Sequence, residues 1–180
     1  MAAFLVILWM LLSLLAPGTQ RPGMTDAPRP VPRPELSAPI IGQIDRIVIE
    51  KQARKMRVYQ QGRLVRAYDI ALGFAPEGDK RMQGDGKTPE GVFRIDRRNA
   101  ASRFHLSLGL DYPRAQDRAR AQAGGYDPGG DIFIHGQPNH IAKGFRVKGD
   151  WTDGCVAIDN HQIAELFAAT PIGTEVEIRP

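Results

Sequence analysis

Residues 44–72 read IDRIVIEKQARKMRVYQQGRLVRAYDIAL, and this stretch decides the fold class. Ile44 to Glu50 alternates and is rich in β-branched residues, the pattern of a half-buried strand. Lys55 to Tyr59 repeats the pattern. Gln60-Gln61-Gly62 is a hairpin turn, because Gly62 supplies a backbone conformation that other residues avoid. Arg63 to Leu72 returns as a third strand. Short strands continue downstream at Gly91 to Asp96, Phe104 to Leu110, Asp131 to His135 (DIFIH) and Thr174 to Ile178. A short helix is expected at Ala115 to Ala123, and another from His161 to Ala169, capped by Asn160 and stopped by Pro171. Gly73 to Pro89 is loop. No internal repeat is visible. Many short strands and two short helices predict a mainly β sandwich or barrel-like domain, residues 40–180.

Upstream of that domain the composition changes twice. Residues 1–16, MAAFLVILWMLLSLLA, are apolar apart from Ser13. The run is short for a membrane span and suits the apolar region of a signal sequence. No Lys or Arg precedes it, and Leu14-Leu15-Ala16 is a poor cleavage site. The leader is therefore expected to be a signal peptide or an uncleaved anchor contacting the inner membrane. Residues 17–39 contain Pro17, Pro22, Pro28, Pro30, Pro32, Pro34 and Pro39, the composition of an extended tether. Export to the periplasm or cell envelope is the expectation. The formal charge is +4, from 24 basic and 20 acidic residues. No basic arm accompanies it, so a nucleic-acid partner is not expected. A mildly basic surface also suits an anionic polymer such as a bacterial wall.

Export makes the cysteine count informative. An exported domain usually pairs its cysteines as disulfides. This chain has one, Cys155. It is either buried and inert or kept for its chemistry.

Three clusters bear on that choice. Ile132-Phe133-Ile134-His135-Gly136 is an apolar strand that delivers a histidine to its end. Asp150-Trp151-Thr152-Asp153-Gly154-Cys155-Val156 is a turn that brings a thiol to the start of an apolar stretch. Backbone N–H groups of such a turn can converge on one spot as an oxyanion site, and Gly154 lets the backbone pass close to another group. Alone, the His135 cluster reads more readily as core, and the Cys155 cluster reads equally well either way. Together they supply a nucleophile and a base, because a thiol is mostly protonated near neutral pH and the thiolate is what attacks. The imidazole needs an orienting acceptor, and Gly136 O, Asp150, Asp153 and Asn160 all qualify.

The third cluster, Gly84-Asp85-Gly86-Lys87-Thr88-Pro89-Glu90-Gly91, resembles the end of a phosphate-binding loop. That motif needs glycine where Arg81 stands, and Pro89 cannot supply the N–H of the following helix. It is read as a turn into the next strand. His105, His140 and His161 have no metal-ligand spacing with one another or with Cys155, so neither a metal nor another cofactor is expected. Lys143, Arg146 and Lys148 lie between the two chemical clusters. They either contact an anionic substrate or form a solvated loop.

In their order, these residues resemble the L,D-transpeptidase (YkuD-type) catalytic domain over about Ile44 to Ile178. The resemblance is carried by Ala71-Leu72-Gly73, Lys87 to Phe93, Ile134-His135-Gly136 and Thr152 to Val156. Phe104 to Leu108, Tyr112-Pro113 and Asp150-Trp151-Thr152 are similar to the branch of murein transpeptidase-like and lipoprotein-release proteins. The resemblance implies a mainly β YkuD-like domain whose Cys155 attacks a stem-peptide carbonyl beside a diaminopimelate L-centre. A terminal D-alanine leaves, a thioester forms, and an amine or water takes the acyl group. It implies that His135 is the base, that Gly136 O orients its ring, and that Gly154 and Cys155 N–H bind the oxyanion. Trp151, Thr152, Asp153, His105, Tyr112 and Arg146 are then the substrate-binding candidates. Peptidoglycan stem peptides are the expected partner, with a wall-linked lipoprotein as a further one. Hydrolysis by the same thioester, and a non-catalytic wall-binding module, are the alternatives. Asp153 and Ala157 replace the His and Arg of the commoner family motif, in what should be the substrate-facing shell. Asp153 is expected to point outward or pair with Arg146 or Lys148, since an acid aimed at the thiol would raise its pKa.

Overall fold

Alternation of buried and exposed positions along the strands builds one curled sheet. The computed structural model describes residues 39–142 and 144–180; the apolar leader, nearly all of the Pro-rich tether and Lys143 lie outside the described residues. The strands are β1 (Arg46–Glu50), β2 (Lys55–Gln60), β3 (Arg63–Asp69), β4 (Gly91–Ser102), β5 (His105–Leu110), β6 (Phe133–His135), β7 (Val156–Ala157) and β8 (Glu175–Arg179), with helices α1 (Ala115–Gly124) and α2 (Asn160–Ala169). Their spatial order is β3-β2-β1-β8-β4-β5-β6-β7. The fold is mainly β, as expected.

The hairpin β2–β3 is made by local chemistry. Gln61 and Gly62 both have positive φ, 50° and 73°, which matches the turn to the right-handed twist of its strands. β1 pairs antiparallel with β2 and parallel with β8, so it sits inside the sheet. Its Ile47, Val48 and Ile49 are all buried, as in a strand covered on both faces. The far ends of the sheet also meet. Ala71, just past β3, exchanges backbone bonds of 2.9 and 2.8 Å with Ala157 of β7. That bridge curls the sheet toward closure and protects an edge that would otherwise be open.

β4 is longer than the sequence suggested. It runs on to Ser102 and folds back as β5, with register shifts between Ile95 and Arg97 and between Asn99 and Ser102. Bulges of this kind bend a strand, and here the bend carries the hairpin from one part of the sheet to the other. α2 packs Ile163 and Leu166 into the core. Its N-cap is Asp159, not Asn160: the Asp159 N–H donates to Gln162 Oε1 at 3.0 Å, while Asn160 Oδ1 accepts from Gln137 N at 2.7 Å.

The core packs around Phe93, which is 1% exposed and meets Tyr112 edge-on at 6.1 Å. Phe93→Ala leaves a cavity that a closed sheet cannot collapse. It should lower the unfolding free energy by about 3–5 kcal/mol, read as a shifted urea midpoint with unchanged slope.

Candidate functional site

β6 and β7 are short, but their register decides the site. They run parallel, with Ile134 opposite Val156 and His135 opposite Ala157. Extending the register back one residue sets Cys155 beside Phe133. Phe133 N–H reaches the Cys155 Sγ at 3.4 Å. On the other side β5 runs antiparallel to β6, with Ser107 opposite His135. His135, 2% exposed, and the half-buried Cys155 line one cleft of about 510 Å3.

The imidazole is held from three sides. Nδ1 donates to Gly136 O at 2.7 Å in the tautomer that leaves Nε2 as the acceptor. Phe104 lies over the ring at 4.4 Å and Trp151 meets it edge-on at 5.7 Å. Of the four orienting groups that the sequence left open, only Gly136 O takes the role. Asp150 instead accepts Leu72 N–H at 2.8 Å and pairs with Arg54 at 2.8 Å. Burial holds the His135 pKa below its usual value, against the Gly136 bond that favours the cation.

The thiol rests elsewhere. Its S–H donates to Asp131 O at 3.4 Å, and no hydrogen bond joins it to His135. Burial pushes the thiol pKa up to about 11; the Phe133 N–H works against this, and the Asp153 and Asp131 carboxylates add to it. A protonated thiol needs an acceptor, and Asp131 provides a carbonyl. Asp131 itself stands at φ 54° after Gly129 and Gly130. Such a backbone is uncommon for a non-glycine residue and is often found at active sites.

The turn before Cys155 is braced internally. Thr152 Oγ1 donates to Cys155 O at 2.7 Å and accepts from Gly154 N–H at 3.1 Å. Gly154 N–H is therefore occupied, whereas Cys155 N–H has no hydrogen-bond partner among the described residues. The Gly-Lys-Thr-Pro-Glu-Gly segment backs the same turn. Thr88 Oγ1 accepts from Gly73 N at 3.3 Å, and buried Lys51 holds Thr88 O at 3.0 Å and Glu90 at 2.8 Å.

Trp151, Thr152 and Asp153 line the cleft as expected. Three other candidates do not. His105 is exposed at the β4–β5 turn, its N–H bonded to Asn139 Oδ1 at 2.8 Å. Tyr112 is a core residue, 3% exposed, whose hydroxyl donates to Pro128 O at 3.0 Å. Arg146 pairs with Asp159 at 3.4 Å, away from the cleft. Ala157 is fully buried and closes the sheet against Ala71, so it is not on a substrate-facing surface. Asp153 is exposed, yet it lines the Cys155 cleft and its charge raises the thiol pKa; it forms no ion pair with Arg146, Lys148 or any other described residue. Sequence reasoning missed the parts played by Phe104, Ser107, Arg103 and Asp131. The signal for Ser107 was a polar residue inside an otherwise apolar strand; nothing local marked the others.

Asp153 offers a direct test. Asp153→Asn removes one of the charges that hold the thiol neutral. Cys155 should then react faster with iodoacetamide at pH 8, and its rate–pH curve should move to lower pH. An unmoved curve would place the carboxylate out of range of the thiol.

These features define a mainly β domain that presents one thiol and one oriented imidazole to a common cleft. The chain belongs to the L,D-transpeptidase catalytic domain family (YkuD), which matches residues 44–178. It is 29% identical over 151 residues to the Escherichia coli K12 protein YafK, covering 81% of this chain and 54% of YafK. The chain thus spans about half the length of that relative. It is also similar to the helical cell shape determining protein Pgp2 of Campylobacter jejuni, at TM-score 0.55 and 25% identity, over 77% of this chain and 49% of Pgp2. An L,D-transpeptidase structure from Xylanimonas cellulosilytica shares the fold at TM-score 0.50 and 16% identity, over 78% of this chain and 63% of that one.

Proposed function

We propose that the protein is a cysteine acyltransferase of the L,D-transpeptidase type acting on diaminopimelate-containing stem peptides of peptidoglycan. The supporting observation is the β6–β7 register, which sets Cys155 and His135 on one cleft wall with His135 Nδ1 tied to Gly136 O. The thiol leaves Asp131 O and gives its proton to His135 Nε2 as Sγ attacks the peptide carbonyl carbon. The carbonyl oxygen takes the developing charge and turns toward Cys155 N–H. When the C–N bond breaks, the His135 proton passes to the leaving amine, and a thioester remains. An acceptor amine, or water, then gives its proton to His135, attacks the thioester and restores the thiol. The apolar run of residues 1–16 supports a site of action in the cell envelope.

Muropeptide mass spectrometry on purified sacculi tests this reading. New cross-linked dimers are expected with the full chain and none with Cys155→Ala. Trimmed monomers alone would replace transfer by hydrolysis. Unchanged muropeptides, with no D-alanine released from a stem tetrapeptide, would leave only a wall-binding module.

A further inference from the structure

Two opposite charges on the cleft walls have no ion-pair partner among the described residues. Arg103 follows β4 in the turn to β5; it is exposed, lines the cleft and forms no ion pair among the described residues. Asp153 lines the same cleft from the turn before Cys155, likewise exposed and unpaired. The third charged residue of the lining, Asp131, is already held by Arg97 at 3.1 Å. Arg103 and Asp153 do not pair with each other either, so more than 4.0 Å separates their charged atoms.

An acid beside the thiol makes the thiolate harder to form, so Asp153 does not serve the thiol itself. An unpaired guanidinium on the same cleft presents a planar fork suited to a carboxylate. An ammonium and a carboxylate on one carbon fit between two such charges that do not touch each other. A neutral or singly charged side chain satisfies at most one of them.

We infer that Arg103 and Asp153 determine donor specificity by binding, respectively, the free carboxylate and the free ammonium at the side-chain end of the diaminopimelate residue. The inference rests on the stem-peptide reading above and assigns it a subsite. It explains why an acidic residue stands one position from the glycine that precedes the thiol. It also predicts that both charges of the zwitterion are read, each by its own residue.

The test compares synthetic tetrapeptides that end in D-alanine and carry at the third position diaminopimelate, its side-chain N-acetyl derivative, or lysine, which lacks the carboxylate. D-Alanine release gives kcat/KM for each with the full chain. Wild type should prefer diaminopimelate over each alternative by about tenfold, a modest figure because both charges are solvent-exposed. Arg103→Gln should bring the diaminopimelate-to-lysine ratio close to one, and Arg103→Lys should keep only part of it, because the cation stays and the fork is lost. Asp153→Asn should do the same to the ratio against the N-acetyl peptide. Because each ratio compares substrates on one thiol, changes in thiol pKa cancel. Unchanged ratios in both variants overturn the inference and leave the acyl-transfer reading standing. If wild type releases D-alanine from none of the peptides, calorimetry on Cys155→Ala decides. Arg103-dependent preference for the diaminopimelate peptide keeps the inference and removes only the chemistry; equal binding of all three removes both.

Discussion

Cys155→Ala will turn over no stem peptide, and His135→Ala will lose about 10²- to 10⁴-fold in kcat/KM while keeping its fold. The size follows from the resting protonation states. With the thiol pKa pushed up to about 11 and His135 held below its usual value, both groups are neutral at pH 7. A thiolate then forms only as the imidazole takes its proton, so removing His135 removes the route rather than a fraction of it. The pH dependence has a definite sign. His135 must be unprotonated to act as base, so kcat/KM falls as pH drops through its pKa, which lies below 6.5. Stability follows the same direction. The unfolded chain binds the histidine proton more readily than the folded chain, so acidification below pH 6.5 destabilises the domain. His135→Ala should flatten that slope. Steady-state D-alanine release from pH 5 to 9, with urea midpoints at the same pH values, checks both statements. An acid limb above pH 6.5 would sink the assignment of His135 as base.

Gly154→Ala will destabilise the domain and silence Cys155 together. Gly154 stands at φ 133°, where a side chain is strained by about 1–3 kcal/mol. A Cβ there would also lie 2.6 Å from Lys87 O, a backbone atom that cannot swing aside. The turn must move, and with it the thiol. A displacement of about 1 Å from a reactive geometry can cost ~10²-fold in rate. Gly73→Ala is the matched comparison, since its Cβ would meet Gly86 O at 2.1 Å on the far side of the same packing. Both variants should lower the melting temperature, and both should slow Cys155 alkylation. A Gly154→Ala protein with wild-type melting temperature and alkylation rate would show that the close approach is not needed.

The parts of the fold that could be read from sequence are those made by neighbours along the chain. The hairpin β2–β3 was legible because alternation and a Gln-Gly turn are local signals. DIFIH was legible as a strand ending on His135 because its apolar run stops there. β7 was not: Val156 and Ala157 form a strand only through β6 on one side and Ala71 on the other. The cap of α2 was misplaced by one residue because Asn160 is drawn to Gln137, a partner that sequence does not show.

The same division runs through the site. Sequence by itself determined the family-level pattern: a lone Cys155 after Gly154, a strand-end His135 twenty residues earlier, and a mainly β domain around them. Residue type and local spacing carry those facts. Only the tertiary structure decided which side chains share a cleft. It moved Tyr112 into the core and left His105 and Arg146 outside the cleft, while bringing in Phe104, Ser107, Asp131 and Arg103. It also decided that the thiol rests on Asp131 O, apart from His135. The physical reason is that a cleft is formed where distant strands pair, and pairing is a property of the closed sheet that no single segment encodes.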